Sequence, residues 1–214
     1  MQFDFDSMSP GARFAFLTGA FVPRPIALIT TLSPAGTCNA APYTFFSIAG
    51  TEPPMVTVTM LPTPDGRMKD TGTNILHAKE FVINLVSENL AEAMNLTCID
   101  APADVDELAL AGLAPAPSIK VKPPRVARSP VALECVLHGT VPLSANQFIV
   151  LGRIVHAHVI DDLVLDAHEP RLYTHAMHLI GGMHGAKWYT RTSDLFAMDR
   201  PTWSAWIAEG KVKH

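Results

Sequence analysis

Residues 21–60 read FVPRPIALITTLSPAGTCNAAPYTFFSIAGTEPPMVTVTM, and no other stretch of the chain is as informative. The apolar runs 26–32 and 55–60 are typical of buried β-strands, and turn residues follow the first run at 33–36. Between the runs, residues 39–46 crowd asparagine, prolines, tyrosine and threonine among small residues. A strand that only packs does not need these residue types. The segment therefore indicates a strand edge that meets a flat, partly polar ligand.

The composition excludes several classes of protein. The chain has 214 residues, which suits one large domain, and its net charge of −4 argues against bulk attraction to nucleic acid. Hydrophobic residues make up 48% and charged residues only 17%, a balance that favours an oligomer with part of its surface hidden. The acidic start of the chain lacks the pattern of a signal peptide, and no apolar run approaches the roughly eighteen residues of a membrane span.

The three cysteines, Cys38, Cys98 and Cys135, lie far apart and form no C-x-x-C motif. Isolated cysteines in odd number favour free, mostly buried thiols in a reducing compartment, so we expect a cytoplasmic protein. At Cys38, beside the polar segment, a reactive thiol is the alternative to a small buried side chain.

The apolar pattern predicts many strands. They are expected over residues 26–32, 39–49, 55–61, 81–86, 131–143 and 148–160, with a short final strand over 163–165. Residues 144–147 join the two longest strands in a hairpin-like connection. Six or seven strands with few helices fit a closed or partly closed β-barrel, since such a barrel leaves few exposed edges.

Helices are predicted at four places, three of them outside residues 100–130. One begins at Pro10 with Ser9 as its N-cap, one covers residues 73–79 with Asp70 or Thr71 as cap, and one covers about residues 88–97 with Ser87 as cap. Residues 100–130 are rich in proline and alanine and include a short predicted helix over 105–111. We expect this segment to be a loop-helix insertion on the surface of a single domain that spans residues 1–214.

The polar segment after the first strand has two interpretations. A flavin ring is flat and apolar in its middle and carries polar groups at one edge, so it needs backbone groups brought close by small residues such as Ala40 and Ala41. Pro42 would free one edge of the strand for such a ligand. An irregular edge strand with a bulge at Pro42 explains the same residues. The residues alone leave both interpretations open.

A phosphate site is a second hypothesis. Arg67 and Lys69 precede the predicted helix, whose free N–H groups and dipole attract anions, and the Thr71 hydroxyl can donate a further hydrogen bond. An ordinary capped helix with basic surface residues is the alternative. Thr30 and Thr31, at the end of the first strand, are further hydroxyl donors, and we choose Thr31 as the inward-facing one, although strand faces alternate and the pattern does not decide between them.

Three groups of residues in chain order carry a resemblance to a known family. The first comprises Pro23-Arg24-Pro25-Ile26-Ala27-Leu28-Ile29-Thr30-Thr31, Gly36, Asn39-x-Ala41-Pro42-Tyr43-x-x-Phe46 and Pro53-Pro54. The second is Lys69-Asp70-Thr71-x-x-Asn74-Ile75, and the third is His178-Leu179-Ile180-Gly181-Gly182 with Tyr189 and Met198-x-Arg200-Pro201. Together they resemble the motifs of the flavin reductase-like family, the FMN-binding split-barrel proteins. Thr44 departs from the serine usual in that family but keeps a hydroxyl.

The resemblance implies a mainly β split barrel of Greek-key character with short peripheral helices, and a homodimer whose flavin sites are lined by both chains. It implies an NAD(P)H-dependent flavin reductase in which nicotinamide passes hydride to N5 of the flavin. FMN is expected rather than FAD, because nothing in the sequence suggests an adenine site. NADH and NADPH are not distinguished. Reductases of this family often supply reduced flavin to a separate monooxygenase, which is the partner expected here.

The implied cofactor-binding residues follow the matching motifs. They are Thr30, Thr31, Asn39, Ala41, Pro42, Tyr43, Thr44, Phe45, Arg67, Lys69 and Thr71. The resemblance also places the C-terminal segment over the flavin of the partner subunit, so His178 is expected to shape the substrate pocket for nicotinamide. No catalytic residue is assigned, because hydride transfer between two cofactors requires no side-chain acid or base.

The histidines do not predict a metal site. His156 and His158 lie at i, i+2 on one strand face, and His175, His178 and His184 cluster near the end. Zinc needs three or four convergent ligands, and no cysteine or carboxylate stands beside these histidines in a recognisable pattern. Exposed or structural histidines are therefore expected, and no metal.

Other functions are considered against the same motifs. The sequence contains no G-x-S-x-G nucleophile motif, and the glycines at 181, 182 and 185 do not form a dinucleotide fingerprint. A flavin-binding electron carrier, or FMN-holding protein without a pyridine-nucleotide site, would share all of the flavin motifs and is the main alternative. A third possibility is a fold of this type that binds another planar or anionic ligand.

Overall fold

The computed structural model describes residues 1–166, 168 and 170–208. Its α-helices are α1 (Pro10–Ala20), α2 (Asp70–Ala78), α3 (Ala91–Leu96), α4 (Glu107–Leu110) and α5 (Trp203–Ala208). Its strands are β1 (Arg24–Pro25), β2 (Ala27–Leu32), β3 (Cys38–Tyr43), β4 (Phe46–Thr51), β5 (Pro54–Met60), β6 (Glu80–Leu85), β7 (Pro115–Ala116), β8 (Arg125–Val126), β9 (Val131–Ser144), β10 (Gln147–Val159), β11 (Val164–Asp166), β12 (Arg171–Leu172), β13 (Ile180–Gly182) and β14 (Tyr189–Arg191). No helix among the described residues is long and apolar enough to cross a bilayer.

A seven-stranded antiparallel sheet forms the body of the protein, in the order β3-β2-β6-β9-β10-β5-β4. The long β9–β10 hairpin carries three register shifts, which add twist and help the sheet to curl. Smaller sheets join β1, β13 and β14, and pair β7 with β8 and β11 with β12. This mainly β architecture is a split barrel, as predicted.

The curled sheet encloses one apolar core. Buried side chains reach it from six strands and from α2, and they are Ala27, Ile29, Tyr43, Val56, Val58, Met60, Ile75, Phe81, Ile83, Cys135, Phe148 and Val150. Each of the larger aliphatic and aromatic side chains contributes about 1.5–3 kcal/mol of burial free energy. Gly152 is required where β10 crosses the Phe81 ring, since a Cβ at Gly152 would lie 2.5 Å from Phe81 Cζ.

The outer face of β2 and β3 carries a second core. Leu28 and Ala40 meet Leu90 and Met94 there, and Leu108 of α4 packs against them. The prediction of a surface location for residues 100–130 is therefore wrong for the inner side of that segment, which supplies buried residues. Its apolar residues are spaced between prolines and alanines, so no helix or strand period marked them as buried.

Local boundaries confirm some predictions and correct others. Ser9 caps α1 as predicted, because its Oγ accepts a hydrogen bond from the Ala12 N–H at 3.2 Å. The single strand predicted over 39–49 is wrong: β3 and β4 are separate, and the chain turns at 44–45 between them. The strand predicted over 163–165 is β11, but it is not the final one.

The helix predictions after the barrel's first strands are wrong in detail. α2 begins at Asp70, and its N-cap is Lys69, which makes no side-chain capping bond, so neither Asp70 nor Thr71 is the cap. The helix predicted over 88–97 consists of a 3₁₀ turn, Glu88–Leu90, followed by α3. The Ser87 hydroxyl donates to Asn89 Oδ1 instead of capping a backbone N–H.

Candidate functional site

Two adjoining pockets lie where β3 meets the N-terminus of α2. The polar pocket, about 380 Å³, is lined by the start of β3, residues 63–64 and 67–71, residues 97–101 and Glu107. The aromatic pocket, about 210 Å³, is lined by the end of β3, by Phe14 of α1, and by residues of the 182–189 segment. Both include Pro42, Lys69 and Cys98, so the two pockets are immediate neighbours, and together they are called the cleft.

The polar pocket has hydrogen-bond donors set for an anion. Asn39 Nδ2 donates to Thr71 Oγ1 at 2.9 Å, so the Thr71 hydroxyl accepts from the protein and has its own proton to donate, either to a ligand or to the neighbouring Tyr43 hydroxyl. Because Lys69 provides no side-chain cap, the first N–H groups of α2 are also left for a ligand. The nine-residue helix adds the positive end of its dipole. These groups together fit a phosphate.

The charges around the polar pocket are mixed. Lys69 is exposed, lines both pockets, and forms no salt bridge within the described part of the chain. Arg67 also lines the polar pocket, but its Nε lies 2.6 Å from Asp65 Oδ2. Hydrogen bonds from Thr63 and then Arg67 hold the pKa of Asp65 at about 2, so that carboxylate stays charged beside Arg67. Lys69 is thus the cation more available to a ligand.

A buried acid lies in the wall of the same pocket. Glu107 of α4 is 6% exposed, and its Oε2 accepts a hydrogen bond from the Ala40 N–H at 3.0 Å. Burial raises the pKa of Glu107 above its ordinary value, and the backbone hydrogen bonds offset only part of that rise. The Glu107 carboxyl therefore fixes the position of β3, but its ionised form lowers the stability of the folded protein. Sequence reasoning missed Glu107, because it lies in the segment interpreted as a surface excursion.

The two β2 hydroxyls stand behind the cleft. Thr31 lies opposite Asn39 in the sheet, and its Oγ1 accepts from Asn74 Nδ2 at 3.0 Å. Thr30 donates to the Pro124 carbonyl oxygen at 2.5 Å on the opposite face of β2. Both side chains are fully buried, and neither is among the residues that line the two pockets. They support the wall of the cleft instead of facing into it.

Tyr43, which lines the aromatic pocket, has a buried hydroxyl directed toward Thr71. Burial, the main cause, raises the pKa of Tyr43 to about 12, and the interaction with the Thr71 hydroxyl offsets part of that rise. The Tyr43 hydroxyl is therefore neutral at ordinary pH. Phe45 lies at the mouth, with its ring centroid 6.3 Å from that of Phe14. Trp188 lines the same pocket from the C-terminal segment.

Arg24 ties the walls of the aromatic pocket together. Its guanidinium donates to the carbonyl oxygens of Thr18 and Met183 at 2.5 and 2.6 Å, and to Thr44 Oγ1 at 3.2 Å. The residue is 8% exposed, and burial lowers the pKa of the guanidinium. Sequence reasoning quoted Arg24 in a motif without giving it this role. An arginine between two prolines at the start of a buried strand was the available signal.

The predicted residues therefore divide by position. The polar pocket brings together Asn39, Ala41, Pro42, Arg67, Lys69 and Thr71, and the aromatic pocket adds Tyr43, Thr44 and Phe45. His178 lies outside both pockets of its own chain, in a separate cavity beside Ser87 and Leu163. Sequence reasoning missed Phe14, Cys98 and Trp188, because they come from segments with no motif of their own.

A family model described as the flavin reductase like domain matches residues 19–177. The chain belongs to the flavin reductase-like family. The match covers both pockets except for the residues contributed by Phe14, Thr18 and the segment from Gly182 onward.

The chain is also similar to several solved structures. The 2-nitrobenzoate 2-nitroreductase NbaA of Pseudomonas fluorescens has a TM-score of 0.86 and 31% identity, over 95% of this chain and 98% of that chain. The nitrilotriacetate monooxygenase component B of Bacillus cereus has a TM-score of 0.87 and 28% identity, over 92% and 98%. A protein of Shewanella frigidimarina described as a flavin reductase with a split barrel domain has a TM-score of 0.80 over 94% and 100%, and at 21% identity it shows the fold alone.

Family and fold thus identify a flavin-related oxidoreductase, and the cleft has the chemistry such a protein needs. A flavin mononucleotide carries an anionic phosphate and a flat, largely apolar ring system. The polar pocket supplies hydrogen-bond donors and Lys69, and the aromatic pocket supplies apolar and aromatic walls. The residues present fit the group.

Proposed function

We propose that the protein binds FMN along the cleft and acts as an NAD(P)H-dependent flavin reductase. The observation that carries the proposal is that the two pockets adjoin, because a polar pocket at the N-terminus of α2, which we propose as the phosphate site, lies beside an apolar pocket of aromatic side chains. FMN matches that sequence of environments, whereas an adenine-containing tail would need a further site.

Different residues would bind the phosphate and the ring system at the two ends of the cleft. Lys69, the Thr71 hydroxyl and the first N–H groups of α2 would hold the phosphate, with Asn39 keeping the Thr71 hydroxyl in place. Tyr43, Thr44 and Phe45 would hold the ring system, and Pro42 leaves an edge of β3 without an N–H. Thr30 and Thr31 would contribute indirectly, by fixing the strand behind Asn39.

The chemistry belongs to the cofactor. When bound, FMN supplies an acceptor at N5 for the hydride of a reduced nicotinamide. The protein's contribution is to orient the two rings and to exclude water, for which Phe14, Phe45 and Trp188 are placed at the aromatic pocket. No side chain is assigned as a catalytic acid or base, since hydride transfer moves no separate proton.

The oligomer and the acceptor of electrons are part of the same proposal. An apolar groove lined by Pro25, Ile48 and Leu179 leaves Ile48 74% exposed, and a second copy of the chain would cover it in a homodimer. A homodimer would also allow His178 to approach the cleft of the partner subunit. The 28% identity to a monooxygenase component B supports a separate flavin-dependent monooxygenase as the acceptor of reduced flavin. The three free thiols support a cytoplasmic location.

Rapid mixing tests the reductase proposal. The protein loaded with FMN is mixed without oxygen with NADH or NADPH, and absorbance near the flavin band is followed. Bleaching faster than that of free FMN supports the reductase. FMN that binds one-to-one but is not bleached faster by either nucleotide would leave the flavin-binding electron carrier instead. Colourless protein that ignores added FMN would overturn the flavin site itself.

A further inference from the structure

A second cluster of chemically active side chains lies on the β9–β10 hairpin, outside both pockets of the cleft. Glu134 of β9 pairs in register with His156 of β10, and His158 follows on the same face of that strand. The Glu134 carboxylate and the imidazoles of His156 and His158 each bring one ligand atom to within 4.8 Å of the others. Sequence reasoning placed no carboxylate beside these histidines, because Glu134 comes from the neighbouring strand.

We propose that Glu134, His156 and His158 form a binding site for a divalent transition-metal ion, with zinc as the ion that fits best. Two imidazole nitrogens and one carboxylate oxygen are a donor set that zinc takes, with water in the remaining position of a tetrahedron. His158 keeps 18% of its side chain exposed, so water can reach the cluster. The carboxylate is fully buried, which holds one ligand fixed.

The hydrogen bonds of Glu134 leave one place for the ion. Oε2 accepts from the N–H groups of Lys120 and Val121, at 2.5 and 3.1 Å, and Oε1 accepts from the N–H of Ile119 at 2.7 Å. The second lone pair of Oε1 faces His158 Nε2 at 2.6 Å. An ion would therefore take the place of the proton between these two atoms. The three backbone bonds would stay and orient the carboxylate.

The His158–Glu134 pair would open slightly, and the His156 imidazole, now within 4.8 Å of the other two ligand atoms, would move closer to them by up to about 1.5 Å. Tetrahedral ligands about 2.0–2.1 Å from zinc lie about 3.3 Å from each other, so the Nε2–Oε1 pair needs to open by less than about 1 Å. The imidazole of His158 would then carry its proton on Nδ1. Burial by itself would raise the pKa of Glu134, but the hydrogen bonds from His158 and the backbone outweigh it, so the pKa lies below its ordinary value and the ligand is ionised.

The test uses the full chain, without a histidine tag and treated with a chelator, titrated with zinc chloride by calorimetry. We expect one zinc ion per chain with a dissociation constant in the micromolar range or below. His156→Ala and His158→Ala should each weaken binding at least tenfold. His138→Ala is the matched control, since His138 lies on the same hairpin but is exposed and outside the cluster, and its affinity should stay within twofold of the parent.

Two further measurements keep the proposal falsifiable. His158→Ala could weaken zinc binding merely by loosening the 119–121 loop. His156→Ala avoids this ambiguity, because among the described residues the His156 imidazole makes only an edge-on ring contact with His158, at 4.9 Å between centroids. Anomalous scattering at the zinc edge should place the ion between the three side chains. No one-to-one binding up to about 100 μM zinc, unchanged affinity in His156→Ala, or an ion located at other histidines would each overturn the proposal. None of these outcomes depends on flavin.

Discussion

Replacing Thr71 by valine separates ligand binding from folding at the polar pocket. Valine keeps the shape of the buried side chain and removes only the hydroxyl, which is 1% exposed with the rest of the residue. The change has two effects. Asn39 Nδ2 loses its acceptor at 2.9 Å, and the phosphate of FMN would lose a donor.

The first effect is a loss of stability. Leaving a buried donor unpaired costs about 1–3 kcal/mol. For a chain of this length, that corresponds to a fall of about 2–12 °C in melting temperature. The second effect is on binding. A hydrogen bond to a charged group is worth about 1.5–3 kcal/mol, so FMN affinity should fall roughly 10- to 150-fold.

The assay compares two ligands and two variants. Quenching of flavin fluorescence gives the affinity for FMN and for riboflavin, which lacks the phosphate. Thr71→Val should weaken FMN strongly and riboflavin within about twofold, because only FMN presents a phosphate for a charge-assisted bond. Thr73→Val is the matched control: its exposed hydroxyl reaches only the Lys69 carbonyl, at 3.4 Å, and both affinities should be unchanged. Equal losses for FMN and riboflavin would refute the phosphate assignment, as would unchanged FMN affinity.

Three other substitutions test neighbouring features. Lys69→Ala should weaken FMN binding about tenfold at low salt and less at high salt, because salt screens the attraction between lysine and phosphate. Lys79→Ala, the control, should leave FMN affinity unchanged. A loss of affinity that does not depend on salt would contradict a charge effect. Glu107→Gln should stabilise the flavin-free protein near pH 7, because the pKa of Glu107 is raised in the folded state and its ionised form is therefore unfavourable there. The gain in stability should vanish below about pH 4, where the carboxyl is neutral in both the folded and the unfolded state. A gain that persists below about pH 4 in melting curves would contradict this explanation. Gly152→Ala should cost about 1–3 kcal/mol in urea unfolding, while Gly139→Ala, whose added Cβ meets nothing within 4 Å, should cost clearly less; equal costs would contradict the steric argument.

The split barrel was predictable from sequence where strands have simple patterns. The apolar composition of β2, β5, β9 and β10 predicts each of them as a strand, and polar turn residues indicate the hairpin between β9 and β10. The break between β3 and β4 was not predictable, since Thr44 and Phe45 have good strand propensity, and the hydrogen bond that Thr44 accepts from Arg24 comes from outside the segment.

The cleft was predictable in part. Lys69 and Thr71 line the polar pocket, and they were predicted as part of an anion site because a basic residue and a hydroxyl at the start of a helix indicate such a site on local grounds alone. Phe14, Glu107 and Trp188 were missed because each arrives from a distant part of the chain, and single-sequence patterns do not report which segments meet. Glu134 was missed for the same reason: its partners lie 13–15 and 24 residues away.

The segment between α3 and β9 is fastened to the sheet by polar side chains. Asn84 accepts from the Val126 N–H at 2.8 Å, Glu134 holds the 119–121 loop, and Glu107 reaches back to Ala40. A chimera that exchanged this segment between relatives, or a variant in which it was shortened, would leave buried amide and carboxylate groups of the sheet without their hydrogen-bond partners. The segment and its sheet anchors must therefore be transplanted together, as one matched set.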